Sequence, residues 1–284
     1  MTDERIELND TRRMYACSEV GKRENDQDFI ACKKIDTKAG WSVRIGVLCD
    51  GMGGGEQGEV VSERSANAFI KTLEDELYKV EQHSFFNRLL SVLVGPSENL
   101  GDWGSEEFRH SLHSRAIDAC HTIIEEIEDK DKNTGTTLTA LVAYYSPQGK
   151  PLMADLVHIG DCRAYRLAEE SSACELLTKD HSATGDMVRA GYIEIHEISE
   201  TPGSSTLTRH IGHEEKMGPE ISTIQVKKLE KFLLCCDGVW EPLHDKEGLW
   251  LPARAQGQET VNLFVSEALE RGSTDNCSAL LIYI

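Results

Sequence analysis

The sequence predicts an α+β fold in which antiparallel sheets are covered by helices, and three observations carry that expectation. Runs of β-type residues arrive in groups with tight connections: 136–145, 152–159 and 163–168 read as a meander with no room for crossover helices. Helical patterns come in blocks between those groups, unlike the regular alternation of a parallel βαβ array. No internal repeat, low-complexity tract or Pro/Ser-rich linker divides the chain, and its 7 prolines are spread thinly. One continuous domain over 1–284 is therefore expected.

From the N-terminus, residues 1–14 are polar, mixed in charge and read as a tail. Residues 27–34 and 43–49 are β-type runs separated by Asp36, Lys38 and Gly40, which is turn chemistry for antiparallel neighbours. A helix follows over about 58–78, where Val61, Ala68, Phe69, Leu73 and Leu77 gather on one face. Residues 94–104 read as a loop. A second helix is expected over 105–129, with Ser105 as N-cap and Phe108, Leu112, Ala116, Ala119, Ile123 and Ile127 as its buried stripe. After the meander comes a polar, Gly-containing stretch (180–219). Strand-like runs at 221–227 and 231–236, a helix near 259–270 and a strand at 277–284 complete the chain.

Composition narrows the function. Among 284 residues, 30 Lys plus Arg face 49 Asp plus Glu, a net charge of −19, and no basic patch interrupts the acidic balance. General affinity for nucleic acid or an anionic membrane is not expected. No run approaches the roughly 20 apolar residues of a membrane span. The N-terminus lacks the apolar stretch and small-residue cleavage site of a secretory signal, so a cytoplasmic protein is expected. Its 9 cysteines are scattered and contain no C-x-x-C pair, which points to reduced, mostly buried thiols.

The most informative feature is a repeated junction at which an apolar run ends in Asp, usually beside Gly. RIGVLCD-G supplies Asp50, LVHIG-D supplies Asp161 and FLLCCD-G supplies Asp237, while Asp275 and Asn276 precede CSALLIYI. Carboxylates placed there are costly unless paired, hydrogen-bonded or bound to cations. For any single junction, an Asp that merely caps a turn is the better reading. For these aspartates together a shared metal site is better, and oxygen-only ligands favour Mg²⁺ or Mn²⁺ over zinc.

Two motifs compete with that reading. Residues 53–58 contain G-x-G-x-x-G between a strand and a helix, with Glu74 about 20 residues on, as a dinucleotide fingerprint asks. Against it, the next element is a helix, and Asp50 and Glu56 put negative charge where a pyrophosphate would approach. Asp129-x-Asp131-x-Asn133 begins like a calcium loop, but Thr134 replaces the obligatory Gly and Ala140 the bidentate Glu. A solvated helix end fits it better.

Taken in order, the motifs GKRENDQD (21–28), LCDGMGGGEQGE (48–59), Gly135-Thr136-Thr137, HIGDCRAY (158–165), Lys179-Asp180-His181, LTRHIG (207–212), CCDGVWE (235–241) and STDNCSALL (273–281) resemble the metal-dependent serine/threonine phosphatases of the type 2C class, particularly bacterial members. The resemblance runs from Ser18 to Ile284. It implies a central antiparallel β-sandwich flanked by helices on both sides, an αββα four-layer arrangement, with two Mn²⁺ or Mg²⁺ ions at one edge and a third position beside them. It also implies that Asp50 bridges both metals, that the Gly51 carbonyl joins one, and that Asp237 and Asp275 join the other. Arg23 matches the arginine that holds the substrate phosphate, Asp28 the acidic residue beside the metal water, and Asp161 the third, weaker metal position. Residues 182–206 match the family's variable flap, a candidate with 94–104 for substrate choice.

Departures from the family pattern are specific. Gln27 stands where many relatives carry a metal-linked Glu. Met52 stands where animal members have a His proposed as general acid, and Met cannot donate a proton. His213 replaces a common Asp after Gly212. His158, His181 and His210 are given no catalytic role, and Trp240 and Thr137 are read as structural.

The resemblance implies hydrolysis of phosphoserine or phosphothreonine on a phosphorylated protein partner, by a metal-activated water and without a covalent phosphoenzyme. The substrate would be that of a serine/threonine kinase, and the enzyme a monomer. The alternatives are a catalytically silent binding module of the same fold, against which the intact Arg23, Asp28, Asp50, Asp237 and Asp275 argue, and the dinucleotide site.

Overall fold

The computed structural model describes residues 6–9, 13–37, 40–53, 57–94, 105–127, 134–167, 174–203, 206–246, 248–250, 252 and 255–284. In chain order the strands are β1 (Ile6–Asn9), β2 (Met14–Glu19), β3 (Asp28–Asp36), β4 (Ser42–Met52), β5 (Gly135–Thr136), β6 (Leu138–Tyr145), β7 (Pro151–Ile159), β8 (Arg163–Leu167), β9 (Cys174–Leu176), β10 (Glu220–Gln225), β11 (Lys231–Cys235), β12 (His244–Asp245), β13 (Gly248–Leu249) and β14 (Cys277–Tyr283). The helices are α1 (Gln57–Val94), α2 (Glu106–Glu125), α3 (Ala183–Arg189), α4 (Asp237–Leu243) and α5 (Gln258–Glu270).

Two sheets stack at the centre. One runs β1-β3-β4-β6-β7-β10, with β5 added to the end of β4; the other runs β2-β14-β11-β8-β9. Their facing sides bury Ile30, Leu48 and Leu141 against Leu234, Leu280 and Ile282, while Phe264 and Val265 of α5 and Trp240 of α4 close the outside of the second sheet. The outer side of the first sheet, including Phe29, Val43, Ile45 and Val47, packs on Phe69 and Leu73 of α1 and Leu112 and Ile117 of α2. The layers therefore run helices, sheet, sheet, helices, as expected. The long apolar stretches of β6 and β11 suit strands covered on both faces.

The differences from expectation have local causes. Ile6–Asn9, read as tail, is an edge strand paired in parallel with Ile30–Lys33; edge pairing uses backbone groups and leaves little trace in composition. β2 alternates buried and half-buried residues over only Met14–Glu19, too short a run to stand out beside charged neighbours. Within 182–206 the described residues form a short helix, α3, and a turn at Ile195–Glu197, with Ile198 buried in the core. The 94–104 loop beyond Val94 and the calcium-like stretch 129–133 lie outside the described residues.

Helix α2 begins at the expected N-cap, where Ser105 Oγ accepts from Phe108 N–H at 3.3 Å. Its buried face is rotated from the expected stripe: Leu112 and Ala116 are inside, but Ile117, Cys120 and Ile124 are the deep residues and Ala119 and Ile123 flank them. The rotation follows from polar groups drawn inward. Asp155 on β7 accepts from Arg109 Nε at 2.8 Å and from Thr223 Oγ1 at 2.7 Å, and lies 3.0 Å from His113 Nε2. A buried charge held by several hydrogen bonds is far costlier to break than to leave alone.

Burial alone would push the Asp155 carboxyl up, but the His113 and Arg109 hydrogen bonds outweigh it and hold it at about 2. Its stabilising effect is thus complete above the unfolded-state value of about 4 and disappears as pH falls toward about 2. Asp155→Ala is expected to cost about 3–5 kcal/mol, because Arg109 is left buried without its carboxylate. Thermal unfolding at pH 7 checks it; a change under about 1 kcal/mol would show the network to be dispensable.

Candidate active site

The expected aspartates converge. An open cleft of about 610 Å³ at one edge of the sandwich is lined by Asp50, Gly51, Asp161, Asp237, Asp275 and Arg23, with Gln27, Met52, Thr137 and Asn276 among their neighbours. Asp50 comes from the end of β4, Asp161 from the β7–β8 turn, Asp237 from the start of α4 and Asp275 from the loop before β14. Four separate chain segments meet here because the strands that carry them end at the same edge of the stacked sheets.

Hydrogen bonds fix that meeting point. The Asp50 N–H donates to Thr137 Oγ1 at 3.0 Å, and its carbonyl accepts from Thr137 N–H at 2.8 Å and Thr136 Oγ1 at 2.9 Å. Asn276 is the second anchor: its Nδ2 donates to Val20 O at 2.9 Å and Asn25 O at 3.0 Å, and its Oδ1 accepts from Gln27 N–H at 2.9 Å. The arginine-bearing segment is thereby tied to the loop that carries Asp275. The close approach requires glycine at 238, where a Cβ would stand 2.0 Å from the Asn276 carbonyl oxygen.

Asp28 is placed differently from the others. It faces Asp50 across the β3–β4 ladder but is buried, outside the cleft lining, with its carboxyl hydrogen-bonded by Ser278 and Cys236. Arg23 reaches into the cleft mouth, where its Nη2 donates to Asp275 Oδ2 at 2.6 Å while 58% of its side chain stays exposed. That contact holds its guanidinium pKa up. Gln27 donates weakly from Nε2 to Gly53 O at 3.4 Å. His213 lies edge-on to His210 at 5.2 Å, away from the cleft lining.

The electrostatics are those of carboxylates crowded together, with Arg23 as their cationic neighbour at the cleft mouth. Burial, then repulsion from Asp28 and Asp237, pushes Asp50 well above the carboxylate range. Burial and Asp237 do the same to Asp161. Burial and Asp275 raise Asp237 to about 6, a rise checked by the Gly238 N–H, by Arg23 and by a side-chain hydrogen bond with Asp50. Glu241, one turn further along α4, is lifted to about 7 by burial and Asp237.

All of these groups are oxygen donors, and cations are the natural compensation for their repulsion. The donor set fits hard divalent ions. As it stands, no three His, Cys, Asp or Glu side chains among the described residues are close enough to ligate one ion, and Asp275 is turned to Arg23. The nine cysteines are all free and mostly buried, and burial pushes Cys162 and Cys236, behind the aspartates, up as thiols. Neither is a nucleophile. The dinucleotide reading loses its context, because α1 leads to α2 and β4 to antiparallel neighbours, with no βαβ unit among the described residues.

Comparison with known proteins agrees with this geometry. The family model described as "Protein phosphatase 2C" matches residues 18–271. The serine/threonine phosphatase stp of Listeria welshimeri is 25% identical over 240 residues, covering 84% of this chain and 83% of its own. The crystal structure of the serine/threonine phosphatase PstP/Ppp of Mycobacterium tuberculosis superposes with a TM-score of 0.68 at 26% identity, covering 96% of this chain and 98% of that one. A PstP catalytic domain in complex with 2 manganese ions has a TM-score of 0.64 at 23% identity over 95% of this chain and 97% of its own. The chain belongs to the protein phosphatase 2C family. It is a metal-dependent protein phosphatase of the bacterial type, and no helix among its described residues is long and apolar enough to cross a membrane.

Sequence reasoning missed the anchoring roles of Thr137 and Asn276. Both stood in quoted motifs, but their partners are distant in sequence.

Without cations the raised carboxyls should burden the fold. Asp237, with a folded value near 6, contributes stability below the unfolded value of about 4 that is lost as pH rises through about 6. Metal-free Asp237→Asn is therefore expected to melt above metal-free wild type at pH 8, by about 1–2 kcal/mol after solvent screening, and level with it at pH 4. Melting curves in chelator across that range decide it; a variant less stable at pH 8 contradicts the repulsion.

Proposed function

We propose that this enzyme hydrolyses phosphoserine and phosphothreonine in proteins by attack of water, as one catalytic domain. The observation that carries the reading is the convergence of Asp50, Asp161, Asp237, Asp275 and Arg23 on one open cleft. Asp50, Asp237, Asp275 and the Gly51 carbonyl would hold two Mn²⁺ or Mg²⁺ ions, with Asp161 at a third position. When bound, such ions lower the pKa of a water and offset charge on the transferring phosphoryl group.

The chain's own groups do the rest. Arg23 sits at the mouth, exposed enough to exchange Asp275 for a phosphate and able to give two parallel hydrogen bonds to its oxygens. The Asp50 backbone is held by Thr136 and Thr137, so the residue is placed at the cleft before substrate arrives. Asp28, beneath Asp50 and raised by burial and then Asp26, acts from behind by setting the position and charge of its neighbour. Met52 lines the cleft but has no proton to give, so no side chain is assigned as general acid. The openness of the cleft suits a residue presented on a protein surface.

The reading extends to a cytoplasmic monomer that reverses the action of a serine/threonine kinase, and the net charge of −19 keeps copies and anionic surfaces apart. Substrate choice is assigned to the flap at 182–206, where Tyr192 stands 79% exposed beyond α3.

Hydrolysis of p-nitrophenyl phosphate and a phosphothreonine peptide should require added Mn²⁺ and vanish with chelator. Asp237→Asn should lose at least about 100-fold in kcat; tight Mn²⁺ binding with no turnover of either substrate would favour the silent binding module. Arg23→Lys keeps charge but loses the fork, and kcat/KM should fall about 10-fold or more. Tyr192→Ala should change kcat/KM among phosphopeptides several-fold, about 1 kcal/mol, and leave the aryl phosphate unaffected. Equal losses on both substrates would contradict a flap role in choice.

A further inference from the structure

The Gly160–Asp161 turn is held from both sides, and neither support is a carboxylate. On one side His181 makes a two-way contact: its backbone N–H donates to Gly160 O at 2.7 Å, and its ring Nδ1 accepts from Gly160 N–H at 3.1 Å. On the other side stands Thr137, the residue that also brackets Asp50. Gly160 adopts φ +116°, and a Cβ there would lie 2.5 Å from Thr137 Cβ and Cγ2, so the turn fits this slot only as glycine. The Asp161 carbonyl accepts from Trp240 Nε1 at 3.0 Å, which fixes the other end of the turn.

The His181 ring is itself immobilised. His158 stacks on it at 4.8 Å between centroids. That second ring is pinned by Thr139 Oγ1 at 3.0 Å from Nδ1 and by the Lys179 carbonyl at 3.1 Å from Nε2. Next door, Arg163 grips Asp180 through Nε at 3.0 Å and Nη2 at 2.7 Å. The same short segment starts the flap: Ser182 bridges to Leu207 and Arg189 Nη1 donates to Asp180 O at 2.7 Å.

We propose that His181 is a positioning residue, whose Nδ1 and N–H set the Gly160–Asp161 turn so that Asp161 shares the cleft with Asp50 and Asp237, and which ties that turn to the base of the flap. An acceptor at the Nδ1 position is the chemical requirement. The proposal rests on the metal-site reading of Asp161, and the test separates the two.

His181→Ala, His181→Asn and His181→Gln are made with Asp161 intact and in an Asp161→Asn background. Mn²⁺ binding is read by calorimetry and kcat/KM on a phosphothreonine peptide. With Asp161 present, the Ala and Gln variants should weaken both by about 5- to 30-fold, and in Asp161→Asn the same changes should cost less than about twofold. Asn, whose Oδ1 falls near the lost Nδ1, should recover most of the loss, and this contrast with Gln carries the test where Ala folds poorly. Equal losses in both backgrounds, or Asn no better than Gln, would overturn the proposal. Asp161→Asn leaving Mn²⁺ binding and turnover unchanged would instead overturn the role given to Asp161.

Discussion

Repulsion among carboxylates that cannot move apart is the constraint on which the rest of this molecule depends. Asp50, Asp161 and Asp237 carry raised pKa values for the same first reason, burial, and then because of neighbouring carboxylates: Asp28 and Asp237 for Asp50, Asp237 for Asp161 and Asp275 for Asp237. A chain free to relax would spread these charges into water. Here each sits at the end of a packed strand or the start of a helix, and those elements are locked by a core on both faces of both sheets. The energy of the sandwich is what keeps the negative charges together, and a divalent cation is the natural partner of such an arrangement.

The supporting shell explains why the motifs extend beyond the carboxylates. Thr137 touches both Asp50 and the turn bearing Asp161. Asn276 ties the loop bearing Asp275 to the segment bearing Arg23. Arg163, fully buried, is neutralised by Asp180 and lies 3.4 Å from the Trp240 ring centroid. Polar groups buried this deeply are tolerable only when satisfied; Thr137 and Asn276 direct their hydrogen bonds to backbone at the cleft, and Arg163 directs its own to Asp180 and Tyr165. The segment 179–182 supports both the Gly160–Asp161 turn, through His181, and the start of α3, through Ser182 and Asp180.

Much of this was legible in the sequence, and the reasons differ by element. The apolar runs ending in Asp point both to strands and to the carboxylates that meet at the cleft, since burial on two faces leaves continuous hydrophobic stretches and a terminal carboxylate stands out against them. The α1 stripe of Val61, Phe69, Leu73 and Leu77 was readable from spacing alone. The α2 face was misjudged because Arg109 and His113 are drawn inward by Asp155, a partner on a strand 42 residues or more away that periodicity cannot see. Ile6–Asn9 and Met14–Glu19 were missed as strands because short edge-type runs are defined by pairing. Helix α4, seven residues with Pro242 inside it, is too short to show a period. Thr137, Asn276 and His181 belonged to recognisable motifs, yet their work is hydrogen bonding across the fold, which no local pattern encodes.

The central claim is that the cleft carboxylates exist to hold divalent cations, and crystallography with Mn²⁺ tests it most directly. Anomalous difference maps collected at the manganese edge should show two strong peaks among Asp50, Gly51, Asp237 and Asp275, with Asp275 released from Arg23. An empty cleft at saturating Mn²⁺, or manganese bound only elsewhere on the acidic surface, would contradict the account.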